Sequence, residues 1–260
     1  MPEWDASSYH RLSEPQFSWG SPIVAALELR GDETILDAGC GSGRLTALLL
    51  ERLPQGRVVA LDSSANMLRE AAAHLEPRFG KRVSFAPHSL LELPFDGEFD
   101  GIVSTATFHW VPDHDRLFAN LFRALKPGGW LVAQCGGGPN LQHTRSQAME
   151  AARLPEFAPY FKDFREPWNF TSAEETAERL RRAGFADVSV TLQEAPVLHP
   201  TAERIRDHFR VITLHRHVAC LPTPELQERY LDAIVALSAK DDPPYRMDYW
   251  RLNIRAIRPE

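Results

Sequence analysis

The densest chemical signal lies near the start of the chain. Thr34-Ile35-Leu36-Asp37-Ala38 is a short apolar run carrying an acid, and Gly39-Cys40-Gly41-Ser42-Gly43 follows it with glycine at alternate positions. Glycine has no Cβ, so the backbone there can turn sharply and approach a ligand closely. A second apolar run, Val58-Val59-Ala60-Leu61, ends on Asp62, at the spacing expected of a carboxylate that accepts hydrogen bonds from ribose hydroxyls. Gly39, Gly41, Gly43 and Asp62 together predict a nucleoside site beyond the carboxyl ends of parallel strands. The plainer reading of the glycines is a tight strand-to-helix turn with no ligand. A dinucleotide fingerprint would need its third glycine where pyrophosphate meets the helix N-terminus. Arg44 stands at that position and Gly43 falls one residue early. An acid just ahead of the loop, Asp37, suits a positively charged ligand better than a pyrophosphate.

Three further segments follow in order. They are Asp62-Ser63-Ser64-Ala65-Asn66-Met67-Leu68, Phe99-Asp100-Gly101-Ile102-Val103-Ser104 and Leu125-Lys126-Pro127-Gly128-Gly129-Trp130-Leu131-Val132. With the glycine loop they resemble the class I methyltransferases that use S-adenosylmethionine (SAM), over roughly the first half of the chain. The stretch Thr107-Phe108-His109-Trp110-Val111-Pro112-Asp113-His114 is similar to the small-molecule subgroup that includes trans-aconitate methyltransferase.

The resemblance implies that SAM lies across Gly39, Gly41 and Gly43, with Asp62 and Ser63 at the ribose and Met67 and Leu90 beside adenine. It implies that the Gly39 backbone, and Asp37 through water, face the methionine amino group, and that Thr105 borders the cofactor. Ser89 stands where many relatives carry Asp or Glu for the adenine amino group; its hydroxyl still accepts a hydrogen bond but brings no charge. Tyr9 matches a tyrosine often found in an N-terminal helix over the cofactor. Tyr9, Phe17 and Trp19 could equally be packed aromatics.

His109 and Trp110 follow the fourth strand, where the methyl donor would point. His109 is a candidate general base or substrate orienter, or a packed ring near the cofactor. Aligning the nucleophile is the main task in methyl transfer from a sulfonium, and a carboxylate nucleophile would need no base. The acceptor would enter between the cap and His109-Trp110. Arg210, with Arg204, Arg206 and Arg216, could bind an acceptor carboxylate, or could line a solvated helix face.

Strands are expected at 33–37, 57–62, 82–87, 98–104 and 129–135, with amphipathic stretches between them. That alternation predicts an α/β fold with helices on both faces of a mostly parallel sheet. Residues 114–125 carry Leu117, Leu121, Phe122 and Leu125 at helical spacing, and Pro127-Gly128-Gly129 stops that helix. Ser172-Ala173-Glu174-Glu175 reads as a capping box for a helix ending at Gly184. A sixth strand is expected at 187–192. The last is a period-two strand in which Trp250, Leu252, Ile254 and Ala256 alternate with Arg251, Asn253 and Arg255. By resemblance it runs antiparallel beside the sixth, completing a seven-stranded Rossmann-like sheet. The expected organisation is one domain overall. Residues 1–30 form an N-terminal helical lid, 31–137 the SAM-binding core and 138–170 an insertion. Residues 171–196 form a core helix and the sixth strand, 197–246 a helical substrate cap, and 247–260 the last core strand.

The 260 residues are 43% hydrophobic, enough for a globular core, and no apolar run is long enough to cross a bilayer. Met1-Pro2-Glu3-Trp4-Asp5 lacks the basic and apolar regions of a signal peptide, so a cytoplasmic protein away from membranes is expected. A net charge of −6 gives no global field toward nucleic acid, and the expected partner is a small molecule. Cys40, Cys135 and Cys220 are too few and scattered for a disulfide framework or zinc site. His215 and His217 sit two apart and do not share a helix face, so no metal is expected. Asp242-Pro243-Pro244-Tyr245 resembles a tetrapeptide of DNA amino-methylating enzymes but lies far from the fourth strand, and reads as a turn. The expected activity is methyl transfer from SAM to oxygen, nitrogen or carboxyl of a small acceptor, releasing S-adenosylhomocysteine (SAH). The alternatives are a SAM-binding protein that transfers no methyl group and a nicotinamide-dependent oxidoreductase.

Overall fold

The computed structural model describes residues 14–260, with side chains from Phe17 onward; Tyr9 lies outside the described residues. Helix α1 (Glu14–Ala25) precedes the units β1 (Thr34–Ala38)–α2 (Arg44–Glu51), β2 (Arg57–Leu61)–α3 (Ala65–Phe79) and β3 (Val83–Ala86). Then come β4 (Phe99–Thr105), α4 (His114–Ala124), β5 (Leu125–Gly136) and α5 (Gln142–Ala152). The remainder is α6 (Ala173–Arg182), β6 (Ala186–Glu194), β7 (Val197–Leu198), α7 (Ala202–His208), α8 (His215–Val218), α9 (Pro224–Ser238), β8 (Arg246–Met247) and β9 (Trp250–Ile257).

Seven strands form one sheet in the order β3-β2-β1-β4-β5-β9-β6. Strand β1 is parallel to β2 and β4, β2 to β3, and β4 to β5, while β9 runs antiparallel to β5. Successive strand residues point to opposite faces, and each face of this sheet is buried. Leu36, Ile102 and Leu131 join a core with Leu117, Phe118 and Leu121 of α4. Their neighbours Ile35, Val103 and Val132 join a core with Leu49 and Leu50 of α2 and Leu68 and Ala71 of α3. Two buried faces explain why these strands are near-continuous apolar runs rather than alternating ones.

Strand β5 starts at Leu125, earlier than the expected 129–135, and α4 stops at Ala124, before Pro127-Gly128-Gly129 is reached. Pro127 biases Lys126 toward extended backbone. The guanidinium of Arg258 donates to the Phe122, Arg123 and Leu125 carbonyls at 3.0, 3.1 and 2.6 Å, satisfying groups that the helix end leaves open. The capping box is present, with Ser172 Oγ accepting from Glu175 N at 3.1 Å. Arg251 is buried, so β9 does not follow the simple alternation expected of it.

The described chain divides into two compact units. The first runs to Gly138 and includes Trp168–Gln193 and Arg251–Glu260; the second is Pro139–Pro167 with Glu194–Trp250. Within the second, Asp248 caps α5 by accepting from His143 N and Thr144 N. Tyr230, fully buried on α9, donates to the Ala148 carbonyl at 2.9 Å and packs on Phe157 and Phe161. Asp242-Pro243-Pro244-Tyr245 lies in the turn between α9 and β8. No helix among the described residues is long and apolar enough to cross a membrane.

Phe118 is fully buried and meets Phe108 edge-on at 6.0 Å. Phe118→Ala is expected to lower stability by about 3–5 kcal/mol in urea denaturation. A loss below about 1 kcal/mol would contradict the packing described.

Candidate active site

The glycine loop is held by the strand ends around it. Gly39 N and Cys40 N both donate to the Leu61 carbonyl at the end of β2, at 2.8 and 2.9 Å. Ser104 Oγ, on β4, donates to the Ala38 carbonyl at 2.6 Å. Gly39 has φ +88°, and a Cβ there would lie 2.2 Å from Thr107 Oγ1, so only glycine fits. The Thr107 hydroxyl lies 3.2 Å from the Gly39 carbonyl and 2.9 Å from that of Thr105, closing the loop against β4. Gly41 has φ +54° and no heavy atom within 4 Å of where its Cβ would be, so the space beside it is open. Gly43 is the N-cap residue of α2 and faces Ala71 and Leu75.

Two carboxylates meet at this loop. Asp62 accepts from Gly41 N through Oδ2 at 3.0 Å and from Ser64 N through Oδ1 at 2.9 Å, which fixes its orientation. Asp37 is 2% exposed and accepts from Thr46 Oγ1 at 2.6 Å. Burial raises its carboxyl to about 6, and the charge of Asp62 adds to the effect. The same burial pushes the Cys40 thiol well above its usual range, so it is no nucleophile. Asp37, Gly39, Gly41, Arg44 and Thr105 line one cleft with Phe17 of α1, over which the Arg44 guanidinium lies at 4.1 Å.

The remaining predicted cofactor residues stand at the ends of β2 and β3. Ser63 is exposed, and Ser64 beside it caps α3 by accepting from Met67 N at 3.2 Å. Met67 and Leu90 are buried. Ser89 is exposed, and its hydroxyl accepts from Leu91 N at 3.2 Å.

His109 sits in a single 3-10 turn, Phe108–Trp110, just past β4. It is 9% exposed, and its Nδ1 accepts from Gly136 N at 3.2 Å. An imidazole that accepts at Nδ1 carries its proton on Nε2. Burial lowers its pKa to about 3, with the positive charge of Arg251 contributing. With Nδ1 engaged by Gly136 N–H, Nε2 is the ring's remaining donor. Trp110 and Phe170 flank it with centroids at 5.3 and 5.7 Å, and Trp168 stacks on Phe170 at 5.6 Å. Asn169 N donates to the His109 carbonyl at 2.8 Å.

Trp168, Phe170 and Arg251 were not singled out from the sequence. The first two fall in a stretch that reads as insertion, and Arg251 reads as the outward partner of an alternating strand. Arg251 is 4% exposed, pairs opposite Gly136, and lies 4.0 Å over the ring of Trp19. Arg210 belongs to the second unit, where its Nη1 and Nη2 bind Glu228 at 2.6 and 2.8 Å. Those bonds, with Arg206, hold the Glu228 carboxyl at about 2, so the Arg210 charge is already matched. His217, also in that unit, is buried with its ring 4.4 Å from Phe164.

A raised carboxylate pKa means that the folded protein favours neutral Asp37. The resulting stability is complete below the unfolded value near 3.8 and is lost as pH rises through about 6. Asp37→Asn is therefore expected to stabilise the ligand-free protein by about 2 kcal/mol at about pH 8, and less at about pH 5. Melting temperatures at the two pH values check this; no gain at the higher pH would show that Asp37 ionises without cost.

The description "methyltransferase domain" belongs to a family model that matches residues 35–129. The chain is 30% identical over 265 residues to trans-aconitate 2-methyltransferase of Deinococcus radiodurans, covering 99% of each. It is 40% identical over 141 residues to trans-aconitate 2-methyltransferase of Streptomyces avermitilis, covering 53% of this chain and 52% of that protein. Phosphoethanolamine N-methyltransferase 2 of Haemonchus contortus, solved with phosphomonomethylethanolamine and SAH, superposes with a TM-score of 0.64 at 18% identity. That match covers 98% of this chain and 57% of that one, and is a likeness of fold.

Proposed function

We propose that a carboxylate is the methyl acceptor of this chain, which belongs to the trans-aconitate 2-methyltransferase family of SAM-dependent methyltransferases. The enzyme moves a methyl group from SAM to a small organic acceptor and releases SAH. The residues at the loop fit this cofactor: an open space beside Gly41, a buried acid at β1 and an oriented acid at β2. When bound, SAM supplies a methyl carbon whose bond to sulfur breaks as an acceptor oxygen bonds to it, the electron pair leaving on a neutral thioether and no proton moving.

Asp62 holds the ribose hydroxyls. Gly41 N and Ser64 N donate to its Oδ2 and Oδ1 at 3.0 and 2.9 Å, which fixes the carboxylate at the end of β2 for that role. Asp37 and the Gly39 backbone face the cationic methionine end, while Met67, Leu90, Ser63 and Ser89 border the nucleoside. Thr105 lines the way to the acceptor corner, where His109 and Trp110 orient the substrate. The same reading makes the acceptor trans-aconitate or a close analogue and the enzyme cytoplasmic.

One observation carries the choice of carboxylate: Gly136 N–H occupies Nδ1 of His109, which leaves that ring only a proton to donate. A hydroxyl or ammonium acceptor must lose a proton to react, and this ring takes none up. A carboxylate is already a nucleophile at neutral pH. The ring's Nε2–H can instead orient an oxygen acceptor by donating to it.

Two measurements test the reading. With methyl-deuterated SAM and trans-aconitate, the label is expected on a carboxyl oxygen, at a kcat/KM that stays flat from about pH 7 to about pH 9. Label on an amine or hydroxyl, or a rate rising through a near-neutral pKa, would overturn it. Asp62→Ala is expected to weaken SAH binding at least roughly tenfold by calorimetry. Unchanged affinity would remove Asp62 from the ribose.

A further inference from the structure

We propose that Thr46 is a positioning residue for cofactor binding: its hydroxyl holds the buried carboxyl of Asp37 in place and keeps it available as a carboxylate for the methionine ammonium of SAM. The inference rests on the placement of Asp37 at that ammonium and adds the residue through which the placement works.

Two periodicities bring the pair together. Along β1 successive side chains alternate between the faces of the sheet. Asp37 therefore shares the side of Ile35, whose core includes Leu49 and Leu50 of α2. On α2, Thr46 precedes those leucines by three and four residues and shares their buried stripe. An acid and a hydroxyl thus stand where both elements otherwise carry apolar side chains. Thr46 is fully buried, Asp37 is 2% exposed, and Thr46 Oγ1 donates to Asp37 Oδ2 at 2.6 Å.

Packing does not call for this pair. Burying a hydroxyl or a carboxyl is costly unless it is bonded, and a bonded pair adds little over apolar side chains of the same shape. Asp37 lines the cofactor cleft beside Gly39 and Gly41, whereas Thr46 is not among the residues that line it. The hydroxyl therefore acts on a ligand only through the carboxyl it holds.

The groups around Asp37 pull on its charge in opposite directions. Among the described residues, Asp62 lies just past β2, Cys40 lies in the loop, and Arg44 of α2 lines the same cleft. Burial keeps the Cys40 thiol neutral. Burial and the charge of Asp62 favour the neutral form of Asp37, whereas the Thr46 hydroxyl favours the carboxylate, with the balance at about 6. An ammonium gains from the carboxylate and not from the neutral acid. Affinity for a ligand carrying that group therefore rises with pH through about 6 and levels off above it. Without the hydroxyl, the same rise occurs at higher pH.

The test is calorimetry of SAH binding to the full chain between about pH 5 and about pH 8. Every variant meets the same ligand, so the ligand's own ionisation cancels in the comparison. Asp37→Asn is expected to abolish the rise. Thr46→Val is expected to move its midpoint up by about one pH unit. Affinity then falls roughly five- to tenfold below wild type at about pH 5.5 and stays within about twofold at about pH 8. Thr46→Ser, which keeps the hydroxyl, is expected to leave the midpoint within about 0.3 pH unit of wild type. If the valine variant does not fold, Thr46→Ala carries the same comparison. Affinity lowered by one factor at every pH, or a serine variant that behaves like valine, would overturn the inference by making Thr46 merely structural. A flat wild-type profile, or a rise that survives Asp37→Asn, would remove Asp37 from the ammonium and this inference with it. A wild-type rise that needs Asp37 but keeps its midpoint in Thr46→Val would overturn this inference alone.

Discussion

The carbonyl of Leu61 accepts hydrogen bonds from two successive N–H groups of the loop that leaves β1, and much of the site depends on that crossing. It carries the chain over the end of β2 before α2 begins, bringing Gly41 N within reach of Asp62. Ser104 and Thr107 close the other side by hydrogen-bonding the Ala38 and Gly39 carbonyls. The ends of β1, β2 and β4 are thus tied into one platform by backbone carbonyls and two hydroxyls. Gly39 has to be glycine because a hydroxyl side chain fills the place of its Cβ. That steric condition and the open space at Gly41 turn a strand-to-helix turn into a binding surface.

Charge is sorted along the same sheet end. Asp37 lies on β1 and Asp62 just past β2, both beside the glycine loop. Arg251 lies on β9, and a neutral His109 stands next to it. Asp37 is kept from ionising easily by its own burial, so a cationic partner there gains from relieving it.

The parts of the site readable from sequence are those made of contiguous residues. Asp37 through Gly43, and Asp62 after its strand, have their roles set by local backbone, and the parallel strands announce themselves as apolar runs buried on both faces. Arg251 could not be read this way. Its burial follows from pairing opposite Gly136 and from a tryptophan far away in sequence, and period two assigned it to the polar face. Trp168 and Phe170 escaped for a related reason: Asn169 between them binds the His109 carbonyl, which returns an apparent insertion to the sheet-bearing unit. The fate of His109 turned on one backbone donor, Gly136 N, that no side-chain pattern encodes. The ion pair of Arg210 with Glu228 was equally out of reach, because Glu228 lies on α9, remote from Arg210 in sequence.

The partner of β5 in the sheet is β9, and Arg258 just beyond β9 supplies the groups that close the end of α4. During synthesis at about 5–20 residues per second, the ribosome makes the whole second unit before β9 emerges. Through that interval β5 is an exposed strand edge bearing Leu131, Val132 and Ala133, the kind of template on which nascent chains pair wrongly. Soluble yield in cells should then depend on chaperone holding of an unfinished sheet and on how fast the last residues are translated, independently of the stability of the finished protein.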